Sequence, residues 1–191
     1  MTSEAPTRDP GRTEHVDANG GPSIQPTHGE RELVIEVAPH NCFACGSLNE
    51  HGLHLDLHVD GDRCWTETEL ADRFQGWDGI AHGGIVATLL DEAMAWSLAA
   101  TNNWGVTARM SIAFRKPIPI GRRIRAEGWM TARRRRVIDT AARIVDVATA
   151  DVLATGEATY VAADDERKAQ LQARYRFRLV ADPAAGRGSC A

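Results

Sequence analysis

Apolar and polar positions change rhythm several times along this chain, and each rhythm predicts an element. Leu53, Leu55, Leu57 and Val59 alternate with His54, Asp56 and His58, the period of a half-buried strand. Asp60-Gly61 is hairpin-turn chemistry, and Arg63 to Leu70 reads as the return strand. A loop from Ala71 to Ala81 follows. Then Ile85, Val86, Ala87, Leu89, Leu90, Ala93, Met94, Ala95, Trp96, Leu98 and Ala99 recur at helical spacing with no proline among them. This helix is apolar nearly all round, so it is expected to be buried. It should end near Ala100, because Thr101-Asn102-Asn103-Trp104-Gly105 is loop chemistry.

Strands resume beyond the helix. Val106, Ala108, Met110, Ile112 and Phe114 share one face of a strand, with Thr107, Arg109, Ser111 and Ala113 on the other. Pro117 and Pro119 end it. Arg122 to Thr131, Arg135 to Val147 and Val152 to Ala163 read as three more strands joined by tight turns. Leu33 to Val37 reads as a short strand or a docking segment. Asp164 to Arg178 has its acids early and its arginines late, the charge order a helix dipole favours, and reads as a surface helix. The fold class is therefore α+β, an antiparallel sheet wrapped around one long central helix. The expected organisation is a disordered tail over 1–31, a folded domain over 32–163, the surface helix over 164–178 and a flexible tail over 179–191. The first segment is rich in proline and glycine and too poor in apolar side chains to offset its chain entropy.

Composition narrows the field without naming a chemistry. Of 191 residues, 43% are hydrophobic and 25% charged, with a net charge of −4, as in an ordinary globular protein. Nothing in that balance favours nucleic acid or an anionic membrane. No apolar run approaches a membrane span, and the N-terminus lacks a signal-peptide core, so the expected location is cytoplasmic. There the four cysteines, Cys42, Cys45, Cys64 and Cys190, are expected as thiols.

The central helix carries the chemistry. Asp91 and Glu92 lie in the middle of its apolar run, where a carboxylate is costly unless it is paired or used. Just before it stand His82, Gly83 and Gly84. A helix N-terminus offers free N–H groups and partial positive charge, and two glycines let a ligand oxygen approach them. Such a place suits the oxyanion of an acyl transfer. Asp91 follows Gly83 by eight residues, roughly 12 Å along a helix. One reacting carbonyl cannot touch both, so a shared reaction requires a second, antiparallel copy of the helix, as a two-fold dimer provides. His82 is expected to hydrogen-bond the loop backbone, with substrate contact as the alternative.

His82-Gly83-Gly84, then Leu90-Asp91-Glu92 six residues later, the Met110-to-Pro117 strand pattern and Pro119-Ile120-Gly121 resemble the PaaI-type acyl-CoA thioesterases of the hotdog superfamily. The resemblance covers about residues 40–163. It implies the hotdog fold and hydrolysis of a CoA thioester, with Asp91 as nucleophile or general base, Gly83 as the oxyanion amide and Thr107 orienting the attacking water. It departs from the family at Gly76, where an Asn often stands; Gln75 is the candidate replacement. Gly84, Gln75 and Trp77 are candidate substrate contacts, and Phe74 and Trp96 join Trp77 as candidates for the acyl pocket. Arg115, Lys116, Arg133 and Arg135 are candidates for the phosphates of CoA, since arginine forks bind phosphate bidentately. The partners implied are acyl-CoA and a second copy, as homodimer or homotetramer. The alternatives are a non-catalytic acyl-CoA binding module and, ranked last, a hotdog dehydratase.

Cys42 and Cys45 have the spacing of shared metal ligands, with His40 or His51 as partners. A closed zinc site takes four ligands, however, and no second cysteine pair exists. The favoured reading is a turn with two partly buried thiols, with no metal and no cofactor. A similar Cys-x-x-Cys-Gly followed by Asn49 and Gly52-Leu53 occurs in part of the same family.

Overall fold

The computed structural model describes residues 33–181. In chain order the elements are β1 (Leu33–Glu36), β2 (His58–Asp60), β3 (Arg63–Glu69), β4 (Gln75–Trp77), β5 (Ile80–Ala81), α1 (Gly83–Ala100), β6 (Gly105–Phe114), β7 (Arg123–Arg134), β8 (Val137–Asp146), β9 (Val152–Ala162), α2 (Asp165–Tyr175) and β10 (Arg178–Ala181). Eight strands form one antiparallel sheet in the order β10-β1-β2-β3-β7-β8-β9-β6. Strands β4 and β5 form a small separate hairpin in the segment expected as loop.

The expected α+β class holds: the sheet packs around α1. Leu89, Leu90, Ala93 and Met94 of the helix meet Ile124 and Ala126 of β7, Ile138, Ala142 and Ile144 of β8, and Ala154, Ala158 and Tyr160 of β9 in one apolar cluster. The contact is closest at Gly128, where a Cβ would stand 2.5 Å from the carbonyl carbon of Ala93. Only a residue without a side chain lets the helix backbone lie there.

Several boundaries differ from expectation, each for a local reason. The strand read over 53–59 pairs only from His58. Leu53 and Leu55 donate instead to the carbonyls of Phe43 and Ala44, and His54 adopts φ 51°. The alternation still governs burial: Leu55, Leu57 and Val59 are inside, while His54 and Asp56 are exposed. Strand β7 extends into the basic run, so Arg133 and Arg134 belong to it, whereas β8 begins only at Val137 and the turn is Arg135-Arg136. Helix α2 stops at Tyr175 because Arg176 turns left-handed, at φ 47°. The flexible tail expected from 179 is corrected at its start, since β10 pairs with β1 through Ala181. The tail expected over 1–31, and residues 182–191, lie outside the described residues. Among the described residues no helix is long and apolar enough to cross a membrane.

Candidate active site

The helix begins as its sequence requires. His82 is the N-cap, and its Nδ1 accepts the Gly84 N–H at 2.9 Å. The imidazole thus holds the turn, and the Gly84 amide is already engaged, which removes it as a free donor for substrate. Among the described residues the Gly83 N–H has no partner. Gly83 lies against the exposed ring of Phe114, whose Cζ is 3.5 Å from where a Cβ would be. At Gly76, the position of the family's Asn, a Cβ would lie 3.1 Å from His82 Cα and ring. The space an Asn needs is taken. Gln75 is engaged within the β4–β5 hairpin, where its Oε1 accepts the Gly79 N–H at 2.9 Å.

Asp91 lies about two turns further along α1. Its Oδ1 accepts two hydroxyl donors, Thr107 Oγ1 at 2.8 Å and Tyr160 Oη at 2.9 Å. Tyr160 is 1% exposed. Burial and then the charge of Asp91 push its phenol far above the ordinary range, so it stays a proton donor. Simple alternation would turn Thr107 to the same face as Arg109. The β6–β9 register slips between Thr107 and Arg109, leaving Ala108 as the extra residue, and this bulge turns Thr107 towards the helix. Arg109 is no partner of Asp91.

Glu92, one residue on and about 100° round the helix, serves another environment. Its Oε1 accepts Trp96 Nε1–H at 2.8 Å, and its carboxylate contacts Cys45. Burial first, then the neighbouring Cys42, push its carboxyl up to about 7. It lines a cavity of about 490 Å³ between the second half of α1, the start of β6, the end of β9 and α2. Trp96, Trp104, Val161 and Tyr175 supply much of the apolar wall. Of the side chains expected in an acyl pocket, Trp96 is there. Phe74 is packed in the main core, and Trp77 is 83% exposed on the β4–β5 hairpin.

The four basic candidates do not form one cluster within a chain. Arg115 and Lys116 follow the far end of β6, and Lys116 pairs with Asp151 at 2.9 Å. Arg133 and Arg135 lie by the β7–β8 turn, at the other end of the ladder, and Arg133 bonds Asn103 Oδ1 at 2.6 Å. Nine residues of β6 separate the two ends, roughly 30 Å. Sequence reasoning missed Tyr160. Its signal was an isolated phenol on the face of β9 shared with Ala154, Ala158 and Ala162, and a phenol seldom goes unpaired when buried.

A helix wrapped by an antiparallel sheet, with a carboxylate and a free helix-start amide on its open side, defines a hotdog fold with a candidate hydrolytic site. The family model of the thioesterase superfamily matches residues 78–152, which contain Gly83, Asp91 and Thr107. Solved structures agree in fold. One titled a thioesterase superfamily protein superposes with a TM-score of 0.60 at 24% identity, over 63% of this chain and 60% of that one, so this chain spans about three fifths of that relative. A Streptococcus mutans protein bound to acetyl CoA gives 0.53 at 22% identity over 57% and 88%. The Escherichia coli PaaI protein from the phenylacetic acid degradation operon gives 0.55 at 17% identity over 59% and 81%. No curated protein matches the sequence. The resemblance read from the His-Gly-Gly and Asp91 motifs therefore stands in these terms: this chain has the hotdog fold, and its residues 78–152 match the thioesterase-superfamily model.

Proposed function

We propose that the protein is an acyl-CoA thioesterase of PaaI type, acting as a dimer in the cytoplasm. The observation that carries this reading is Asp91, a helix carboxylate fixed by Thr107 and Tyr160 on the open side of α1. Two hydroxyl donors orient a carboxylate without neutralising it, the arrangement a nucleophile or general base needs. The Gly83 amide would take the thioester oxygen as charge develops on it.

Within one chain, Gly83 lies by Phe114 and Asp91 by Thr107, at opposite ends of β6. Among the described residues strand β6 is an edge, and it exposes Val106 and Phe114 at 70% and 60%. Edges of that kind are normally covered. Antiparallel pairing of β6 with a second copy's β6, about a two-fold axis near Met110–Ser111, brings the Phe114 end of one to the Thr107 end of the other. Each carbonyl site then takes Gly83 from one copy and Asp91 from the second. The same pairing brings Arg115 towards the second copy's Arg135. Neither has an ion-pair partner among the described residues, and both are free to meet a phosphate of CoA.

The test is release of free CoA thiol from a panel of acyl-CoAs by native protein and by Asp91→Asn. A loss of about 100-fold or more in the variant is expected, within what one base or nucleophile supplies. Equal rates would remove Asp91 from the mechanism. Binding of acyl-CoA without turnover by the native protein would favour a binding module.

A further inference from the structure

Cys42 and Cys45 come together with His40, whereas the other candidate, His51, is not in the group. A ring nitrogen of His40 and the two sulfurs all lie within 4.8 Å of one another, and His40 Nε2 is 3.4 Å from Cys45 Sγ. A tetrahedral ion about 2.3 Å from sulfur and about 2.0 Å from nitrogen has its ligand atoms about 3.5 Å apart. The trio is therefore within a small side-chain adjustment of ligand spacing.

The surroundings are those of a ligand set. His40 is 5% exposed, and its Nδ1 faces the Ala38 carbonyl at 2.9 Å. A carbonyl only accepts, so Nδ1 carries the proton, and in the neutral ring Nε2 offers its lone pair to the cysteines. That is the usual fixation of a metal-binding imidazole. The Tyr175 ring meets His40 edge-on, with centroids 5.1 Å apart, and steadies the ring plane. The Cys-x-x-Cys turn is closed by the Gly46 N–H donating to the Cys42 carbonyl at 3.0 Å. A Cβ at Gly46 would stand 2.4 Å from Cys42 N and 2.5 Å from the His40 carbonyl, so the turn cannot form with any other residue there. The Cys45 thiol and the backbone N–H groups of Cys45 and Ala44 all face Cys42 Sγ, so the turn gathers its polar hydrogens around that sulfur. Glu92, in contact with Cys45, lies beside the fourth position, which opens to the α1 cavity.

We propose that His40, Cys42 and Cys45 form a binding site for one borderline-soft divalent ion, zinc first, with its fourth position at water or Glu92. Binding takes both cysteines as thiolates, so any thiol proton they carry leaves to solvent, and it involves no redox change. The ion ties the 38–48 segment together against the middle of α1. This goes beyond the thioesterase reading and does not depend on it, since the carboxylate assigned to hydrolysis is Asp91.

The experiment uses the untagged full chain, purified without chelator under reducing conditions. Elemental analysis should find about one zinc per chain, and Cys42→Ser with Cys45→Ser should abolish it. Cobalt added to the metal-stripped native chain should give thiolate-to-metal absorption, a readout that stands even if the double variant fails to fold. Stripping the metal should lower Tm by at least about 5 °C. Less than about one zinc per two chains, together with no cobalt–thiolate absorption, overturns the proposal. So does a metal content that survives the double variant, or a Cys42–Cys45 disulfide found in place of the ion.

Discussion

At the scale of single residues, two adjacent acids divide into two environments. Asp91 meets two hydroxyls, whereas Glu92 meets an indole, a thiol and the wall of the cavity beside α2. The sequence makes both acids conspicuous, since an apolar helix has few reasons to keep a carboxylate. It does not reveal their partners, because Thr107 and Tyr160 come from strands that the fold alone brings together, and a bulge sets the direction of Thr107. Tyr160→Phe tests that geometry. It removes one hydrogen bond to a charged group, worth about 1.5–3 kcal/mol. With Thr107 still in place, kcat for CoA release should fall about tenfold or more, with circular dichroism unchanged. An unaltered kcat would make the phenol a packing residue. The reading of His82 as holder of its own turn was legible, because a residue at an N-cap accepts from the amide two ahead. The loss of Gly84 as a free donor follows from that same bond and was missed.

At the scale of elements, the central helix was the most legible part, from Gly83 to Ala100, because its pattern is long and its ends carry clear signals. Short strands were less so. Residues 53–57 keep a strand's alternation in burial while the Leu53 and Leu55 amides serve the Cys-x-x-Cys turn. The helix–sheet contact rests on Gly128, and Gly128→Ala pushes a methyl into the Ala93 backbone. Overpacking costs about 1–3 kcal/mol. The upper end is expected here, since backbone cannot rotate away, and urea unfolding should show it as a lower midpoint at unchanged slope. The β8–β9 turn depends on Asp146. Arg122 Nε donates to it at 2.5 Å, the amides of Ala148 and Thr149 at 2.8 and 3.0 Å, and these hold its carboxyl at about 2, against the ordinary 3.8. A carboxyl depressed in the folded chain stabilises it above its ordinary value, and that contribution is lost as pH falls towards the depressed one. Asp146→Asn should therefore melt below the native protein at pH 7, and the gap should close as pH drops from about 4 to about 2.

At the scale of the whole molecule, the proposed reaction cannot be completed within one chain. The helix start and Asp91 are roughly 12 Å apart along α1, and an unpaired, apolar β6 edge lies alongside. The chain mass is 20.8 kDa, so light scattering should give about twice that, or about four times it if dimers pair again. The central claim is that each site is built from two copies, and hybrid dimers test it most directly. Gly83→Pro deletes the proposed oxyanion amide at a first helical position, where proline is tolerated, and His82 at ψ 135° suits a following proline. Alone, it and Asp91→Asn should each be nearly inactive. Co-expressed, half of the random dimers carry one intact site of two, so CoA release should return to about a quarter of the native rate. Hybrids as inactive as either parent would contradict the shared site.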